Sequence, residues 1–245
     1  MAAVANAIDF NGVCKRFGGH AALRSVSFAV PSGSIFGLVG LNGAGKTTLI
    51  KSLMDFSFPD SGKIRIFAQP ATEATARGTV AYLSERFIPP AYLTGLEYLQ
   101  MMSRLYGVAA CSNERIEAAA AAIDLDVKYL GMRVGSYSKG SGQKLGIAAV
   151  LLSEQRLLVL DEPMSGLDPR ARACLRAAIK TARLKGATVL FSSHSLADID
   201  ELCDSFAVLH EGAIRYVGSA PELRLQMEVD TLDAAFLKTI ERETP

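Results

Sequence analysis

The chain has 245 residues, of which 49% are hydrophobic and 21% charged. That length allows one or two domains at roughly 150 residues each, and that composition excludes a disordered chain. The net charge of +1, from 26 basic and 25 acidic residues, leaves no cationic excess to release counterions and argues against nucleic acid as a partner. No apolar run approaches the roughly 18 residues of a membrane span; the nearest candidate, residues 145–152, is far too short. Mean hydropathy is still +0.22, which fits either a large alanine-rich core or surface covered by a partner. The opening MAAVANAIDF lacks the basic region of a secretory signal. Cys14, Cys111, Cys174 and Cys203 form no CxxC pair, and no His stands at zinc-ligand spacing. They are expected to be reduced, mostly packed thiols of a cytosolic protein.

Short strands are predicted at 27–30 and 64–67, bounded by Pro31-Ser32-Gly33 and Asp60-Ser61-Gly62. Residues 34–39 form an apolar strand that runs straight into a glycine-rich stretch, and 79–83 form another. From about Phe87 to Gly135 the chain is expected to be helical. Thr94 and Glu97 make a capping box that opens a helix through about Leu105, and an alanine-rich helix follows over 113–123. The continuous apolar runs 157–160 and 188–191 then read as buried parallel strands. Helices are expected at about 169–184 and 196–203. A hairpin of strands near 206–210 and 213–217 turns across His210-Glu211-Gly212, and short helices close the chain. There is no internal repeat or low-complexity segment. The predicted architecture is an α/β core with an inserted helical subdomain.

Gly40-Leu41-Asn42-Gly43-Ala44-Gly45-Lys46-Thr47 matches G-x-x-x-x-G-K-[ST] in full and is followed by Thr48. It follows a predicted strand and opens a predicted helix, the context this motif requires. Glycines let successive backbone N–H groups turn onto phosphate oxygens, and the helix N-terminus adds partial positive charge. Lys46 reaches the β- and γ-phosphates, and the Thr47 hydroxyl ligates Mg²⁺. The apolar run 157–160 ends in Asp161-Glu162. An Asp at the end of a buried strand can hold Mg²⁺ through water, opposite Thr47, and Glu162 stands where a general base would polarise the attacking water. Two solvated turn acids before Pro163 are the alternative, weakened by the lysine loop.

Several P-loop classes share these parts. A GTPase of the Ras type needs an N-K-x-D motif, which is absent. A RecA-like motor or a small-molecule kinase has no need of three further elements of this chain. Tyr137-Ser138-Lys139-Gly140-Ser141, then Gly142-Gln143-Lys144, precede an apolar helix expected from about 145 to 152; Ser165-Gly166-Leu167-Asp168-Pro169 follows the acid pair; His194 ends the next strand. This set resembles the ATP-binding cassette (ABC) ATPases over essentially the whole chain. The resemblance implies an α/β fold: a P-loop NTPase core over 1–86 and 136–245, with an antiparallel β subdomain and an inserted α-helical subdomain over 87–135. The family signature reads LSGGQ and here YSKGS, so Ser138 and Gly140 match while Lys139 and Ser141 depart. Ser138 is read as a helix N-cap. The family implies that this turn engages the γ-phosphate of ATP held by a second subunit, where Lys139 adds a cation. The S-K-G version resembles that of drug, antibiotic and sodium exporters.

Other roles come from the same resemblance. Phe17, in Lys15-Arg16-Phe17-Gly18, stands at the adenine-stacking aromatic; a core phenylalanine is the alternative. Glu85 stands at the usual Q-loop glutamine and keeps a hard oxygen for Mg²⁺; a solvated acid is the alternative. Asp168 before Pro169 is a good N-cap, with a cross-dimer role implied. His194 is expected to contact the γ-phosphate rather than lie in the core. The chain is therefore expected to be the ATP-hydrolysing subunit of an exporter. It would use ATP and Mg²⁺, dimerise with a second ATPase subunit, and sit in the cytoplasm on the inner face of the membrane against a separate transmembrane permease. Phe87, Ile88, Pro89, Pro90 and Tyr92 are an apolar cluster suited to that docking, or else to packing of the insert. A soluble cassette acting on ribosomes or DNA is a rival that usually carries two cassettes or a long coiled-coil insert. A non-hydrolysing module would have lost Lys46, Asp161 or Glu162. The transported substrate is not legible.

Overall fold

The computed structural model of the chain describes residues 5–108 and 111–241. The expectation that the chain carries no leader rests partly on residues 1–4, which lie outside the described residues. The chain forms two units, one from the residues up to Thr79 together with those from Thr188 onward, the other from Val80 to Ala187.

The first unit opens with β1 (Asn6–Phe17) and β2 (His20–Pro31), an antiparallel hairpin in which Phe17 faces His20. The sequence predicts only the end of β2. Register shifts between Phe10 and Arg16 interrupt the ladder of β1, and each shift breaks the two-residue alternation that marks a half-buried strand. β3 (Ile35–Val39) is buried along its whole length and leads through the glycine loop into α1 (Lys46–Leu53). β4 (Ser61–Ile66) pairs with β1, and β5 (Gln69–Pro70) pairs with β4, giving the antiparallel sheet β2-β1-β4-β5. A single helical turn, α2 (Ala74–Arg77), follows.

In the second unit, β6 (Val80–Leu83) is followed by extended chain rather than helix, because Pro89 and Pro90 disfavour helical geometry at and before them. α3 (Gly95–Leu105) starts on the expected capping box: Glu97 N–H donates to Thr94 Oγ1 at 3.2 Å, and Thr94 N–H donates to Glu97 Oε2 at 2.8 Å. α4 (Asn113–Ala121) ends short of the predicted 123, and Asp124 beyond it takes the left-handed conformation, φ 57°. Beyond α4 the region expected to be helical to about 135 holds two 3₁₀ turns, Val127–Gly131 and Val134–Ser136. α5 (Lys139–Leu152) begins well before the apolar run, since Ser138 caps it and its face from Leu145 to Leu152 is buried. β7 (Leu157–Leu160) runs parallel to β6, and α6 (Pro169–Leu184) has the predicted bounds.

The chain then returns to the first unit. β8 (Thr188–Ser193) lies parallel to β3 on one side. α7 (Leu196–Leu202) leads to β9 (Ser205–His210), parallel to β3 on the other side, and β10 (Ala213–Gly218) closes the predicted hairpin. α8 (Ala220–Met227) and α9 (Leu232–Glu241) complete the described chain. The order in this unit is β10-β9-β3-β8. Its two sheets share a core in which Phe28 stacks on Phe36 at 5.5 Å and Phe10 on Phe28 at 4.7 Å. Phe36, Phe191 and Phe206 are almost fully buried, each contributing roughly 1.5–3 kcal/mol. The four cysteines are free and half-buried. Among the described residues, no helix is long and apolar enough to cross a membrane.

Candidate functional site

Phe17, residues 40–48 and His194 fall in the first unit; Glu85, residues 138–141, Asp161, Glu162 and Asp168 fall in the second. In the first unit the loop from β3 to α1 is held by backbone. A Cβ on Gly40 would stand 2.2 Å from Leu209 O, so no side chain fits there. Gly45, the N-cap of α1, has φ 109° and lies against Ala22 O, where a Cβ would come to 2.6 Å. The turn of the β9–β10 hairpin braces the loop, with Gly212 N–H donating to Ala44 O at 3.0 Å. The sequence predicts the hairpin but not this brace; its signal is the Glu211-Gly212 pair, both at positive φ.

No side chain caps α1. Its first N–H groups therefore point along the helix axis as a site for an anion. Lys46 is 7% exposed, and its Nζ donates to Gly40 O at 2.7 Å and Leu41 O at 3.4 Å. The ammonium is thus held inside the loop. Thr47 and Thr48 are half-buried, and Leu41, Asn42 and Gly43 form the exposed crest. Val39 pairs with Ser193, so His194 leaves β8 at the end of the sheet where Gly40 leaves β3. His194 is exposed rather than a core histidine. Phe17 is 54% exposed at the tip of the β1–β2 hairpin, with Lys15 Nζ 5.4 Å from its ring centre. Its exposed ring rules out the core alternative. The same hairpin carries Ala22, which touches the loop at Gly45.

In the second unit, Leu83 pairs with Leu160, so Glu85 and the pair Asp161-Glu162 emerge at the same end of β6 and β7. Asp161 is fully buried, and its N–H donates to Leu83 O at 2.8 Å. Burial first, and then the Asp161 and Glu85 charges, push the Tyr82 hydroxyl well above the ordinary tyrosine range. Glu162 is half-buried with φ 50°. A non-glycine residue there is uncommon, and such backbone clusters at functional sites. Among the described residues no three His, Cys, Asp or Glu form a metal cage. Within this unit the hard oxygens of Asp161 and Glu85 nonetheless suit Mg²⁺, which takes one or two carboxylates and completes its shell with water and phosphate.

Ser138 is the N-cap of α5: its Oγ accepts from Ser141 N–H at 3.1 Å and lies 3.0 Å from Ser141 Oγ. Lys139 is exposed, and Gly140 and Ser141 are half-buried in the first turn. Asp168 caps α6 through Ala171 N–H at 2.9 Å, with Pro169 behind it. The apolar cluster divides. Phe87 packs inward against Tyr98, ring centres 5.9 Å apart, whereas Ile88 and Tyr92 are 87% and 72% exposed.

The sequence model of the ABC transporter family matches residues 23–165. An uncharacterised ABC transporter ATP-binding protein of Nostoc is 38% identical over 82% of the chain, which spans 61% of that protein's length. The bacitracin transport ATP-binding protein BcrA of Enterococcus faecalis is 36% identical over 84% of the chain and 67% of its own. A solved ATP-binding subunit of an ABC transporter superposes with a TM-score of 0.88 at 31% identity, over 95% of this chain and 98% of the other. By the family match and these relatives, the chain belongs to the ABC transporter family, among its ATP-binding proteins.

Proposed function

We propose that the chain is the ATP-hydrolysing subunit of an exporter. It binds MgATP, pairs with a second ATPase subunit around two nucleotides, and drives a separate membrane subunit from the cytoplasmic face. The observation that carries this reading is the buried Lys46 ammonium inside a glycine loop, at a helix N-terminus that no side chain caps. The bacitracin transport protein among the relatives supports transport, and a Nod factor export ATP-binding protein I of Rhizobium sp., 34% identical over 84% of the chain, supports export.

In this reading the amides of residues 40–48 hold the phosphates, Lys46 faces the β- and γ-phosphates, and Phe17 stacks on adenine. Thr47, Asp161 and Glu85 hold Mg²⁺, which when bound neutralises phosphate charge. Glu162 takes the proton of the attacking water, and His194 contacts the γ-phosphate. Ser138, Lys139, Gly140 and Ser141, with Asp168, serve the nucleotide of the partner subunit. Residues 87–135 are the inserted helical subdomain, and exposed Ile88 and Tyr92 contact the membrane subunit.

The test is ATP turnover of the purified chain across a protein dilution series, with and without Mg²⁺. Turnover is expected only with Mg²⁺, and to rise more than linearly with protein concentration, because each site needs residues from two chains. Specific activity that stays flat at concentrations where the protein is monomeric contradicts the two-subunit reading. A strong preference for GTP contradicts the role of Phe17.

A further inference from the structure

Lys144 lies on α5, beyond the signature turn, with its side chain 12% exposed. Its ammonium meets three acceptors: Asp124 O at 2.9 Å, Asp124 Oδ2 at 3.2 Å and Asp168 Oδ2 at 3.5 Å. A lysine ammonium has three donors, so the set is complete. Each carboxylate divides its oxygens. Asp124 gives Oδ1 to Arg170 Nε at 2.9 Å, and Asp168 gives Oδ1 to Ala171 N–H at 2.9 Å. The Ala171 N–H first, and Lys144 after it, hold the Asp168 carboxyl below the usual carboxylate range, so it is ionised at neutral pH. Asp124 stands just past α4, where a cation also suits the helix C-terminus.

The start of α5 touches the loop before α6 at further points. Gln143 Nε2 donates to Pro163 O at 3.4 Å in a buried contact. A Cβ on Gly140 would stand 3.1 Å from Gly166 O, and the stem of Lys139 lies 3.7–3.9 Å from the Cβ position of Gly166. The contacts to Asp168 and Arg170 add little stability, since those side chains are 55% and 82% exposed and exposed ion pairs contribute little; the Lys144–Asp124 pair, 12% and 26% exposed, is the shielded one. What three directed contacts from one ammonium do provide is fixed geometry among the three segments they join.

We propose that Lys144 is a positioning residue for the two-subunit ATPase: it locks the signature turn, the Asp168 loop and the end of α4 into one piece, so that Ser138 and Asp168 meet the partner's nucleotide together. This rests on the two-subunit reading above. It also gives the helical insert, through Asp124, a mechanical link to both elements.

The experiment uses the full chain carrying Glu162→Gln, so that ATP is held rather than hydrolysed. Dimerisation with ATP is measured by analytical ultracentrifugation, ATP affinity at high dilution by fluorescence, and melting by calorimetry. Adding Lys144→Met is expected to raise the dimer dissociation constant roughly tenfold, the size of coupling seen within one ion-pair network. Monomer ATP affinity is expected to stay within about twofold, since the phosphate loop is untouched. Lys144→Arg, which keeps the charge, restores dimerisation. Asp124→Asn is the second variant, and reproduces the shift without altering α5. With Glu162 intact, Lys144→Met moves turnover to higher protein concentration while turnover at saturating protein recovers. A Met variant that dimerises like its parent overturns the proposal. So does a loss of dimer, ATP affinity and melting temperature together that Arg does not rescue, which marks a merely structural residue. If Glu162→Gln abolishes hydrolysis yet never dimerises with ATP, the two-subunit reading fails, and the role of Lys144 falls with it.

Discussion

The phosphate loop and the signature turn are both helix N-termini, yet they are built of different material. At α1 the cap is Gly45, which makes no side-chain cap bond; the loop is hemmed in by Leu209 O and Ala22 O and held by Gly212 N–H. At α5 the cap is Ser138, whose hydroxyl already accepts from Ser141 N–H, and Lys139 beside it faces solvent. An uncapped terminus with a buried ammonium is an anion site complete within one chain. A capped terminus has satisfied part of itself and offers a phosphate less. In the function proposed above, the contrast separates binding, assigned to α1, from turnover, assigned to the second unit's residues and a second chain.

The largest expected effect lies on the turnover side. Glu162→Gln should lower turnover by on the order of 10²–10⁴, the usual loss when a general base goes, with ATP affinity retained. Single-turnover hydrolysis beside equilibrium binding checks both; normal hydrolysis would remove Glu162 from the chemistry. On the binding side, Lys46→Ala should weaken ATP by about 3–5 kcal/mol, the loss when one partner of a buried ion pair is removed. Calorimetric titration measures it, and affinity equal to wild type would show that the loop is not a nucleotide site. Phe17→Ala should cost about 1–3 kcal/mol of ATP affinity if base stacking is as strong as on nucleic-acid platforms. The same titration with ATP and with tripolyphosphate decides it, because only ATP should respond.

Ser138→Ala tests the comparison from the other end. Loss of an N-cap hydroxyl should cost about 1 kcal/mol of stability, seen as a lower melting temperature, while ATP binding by the single chain stays intact. The smallest effect concerns acid. Backbone N–H donors at Thr94, Ser219 and Ala171 hold Glu97, Glu222 and Asp168 below their ordinary range. Their folded values are lower than their unfolded ones. The stability they add is therefore present above the unfolded values and is lost as pH falls through the folded ones. Melting temperature should be flat near neutrality and fall below about pH 4, the ordinary carboxylate range. Glu97→Gln should make that fall shallower.

Much of this was legible because it depends on local rules. The lysine loop, the acid pair after 157–160, the Thr94 capping box and Asp168-Pro169 each carry their geometry in neighbouring residues. Bounds such as Pro169–Leu184 followed from cap and period together. The start of α5 at Lys139 was legible in the Ser138 cap, although the apolar run begins only at Leu145. β1 was missed because it is interrupted by register shifts that only pairing with β2 and β4 makes tolerable.

The sequence by itself determined which chemistry the chain carries. Gly-x-x-x-x-Gly-Lys-Thr and Asp161-Glu162 need only the strand before them to be read as the phosphate and proton handling groups of the proposed function. Tertiary structure decided what holds those groups still. Leu209 O leaves no room for a side chain at Gly40, Gly212 N–H holds Ala44, and Lys144 gathers Asp124 and Asp168 across segments far apart in the chain. These are backbone approaches and shared ion pairs between distant residues. They follow from the path of the folded chain and leave no periodic or adjacent pattern in the residues that make them.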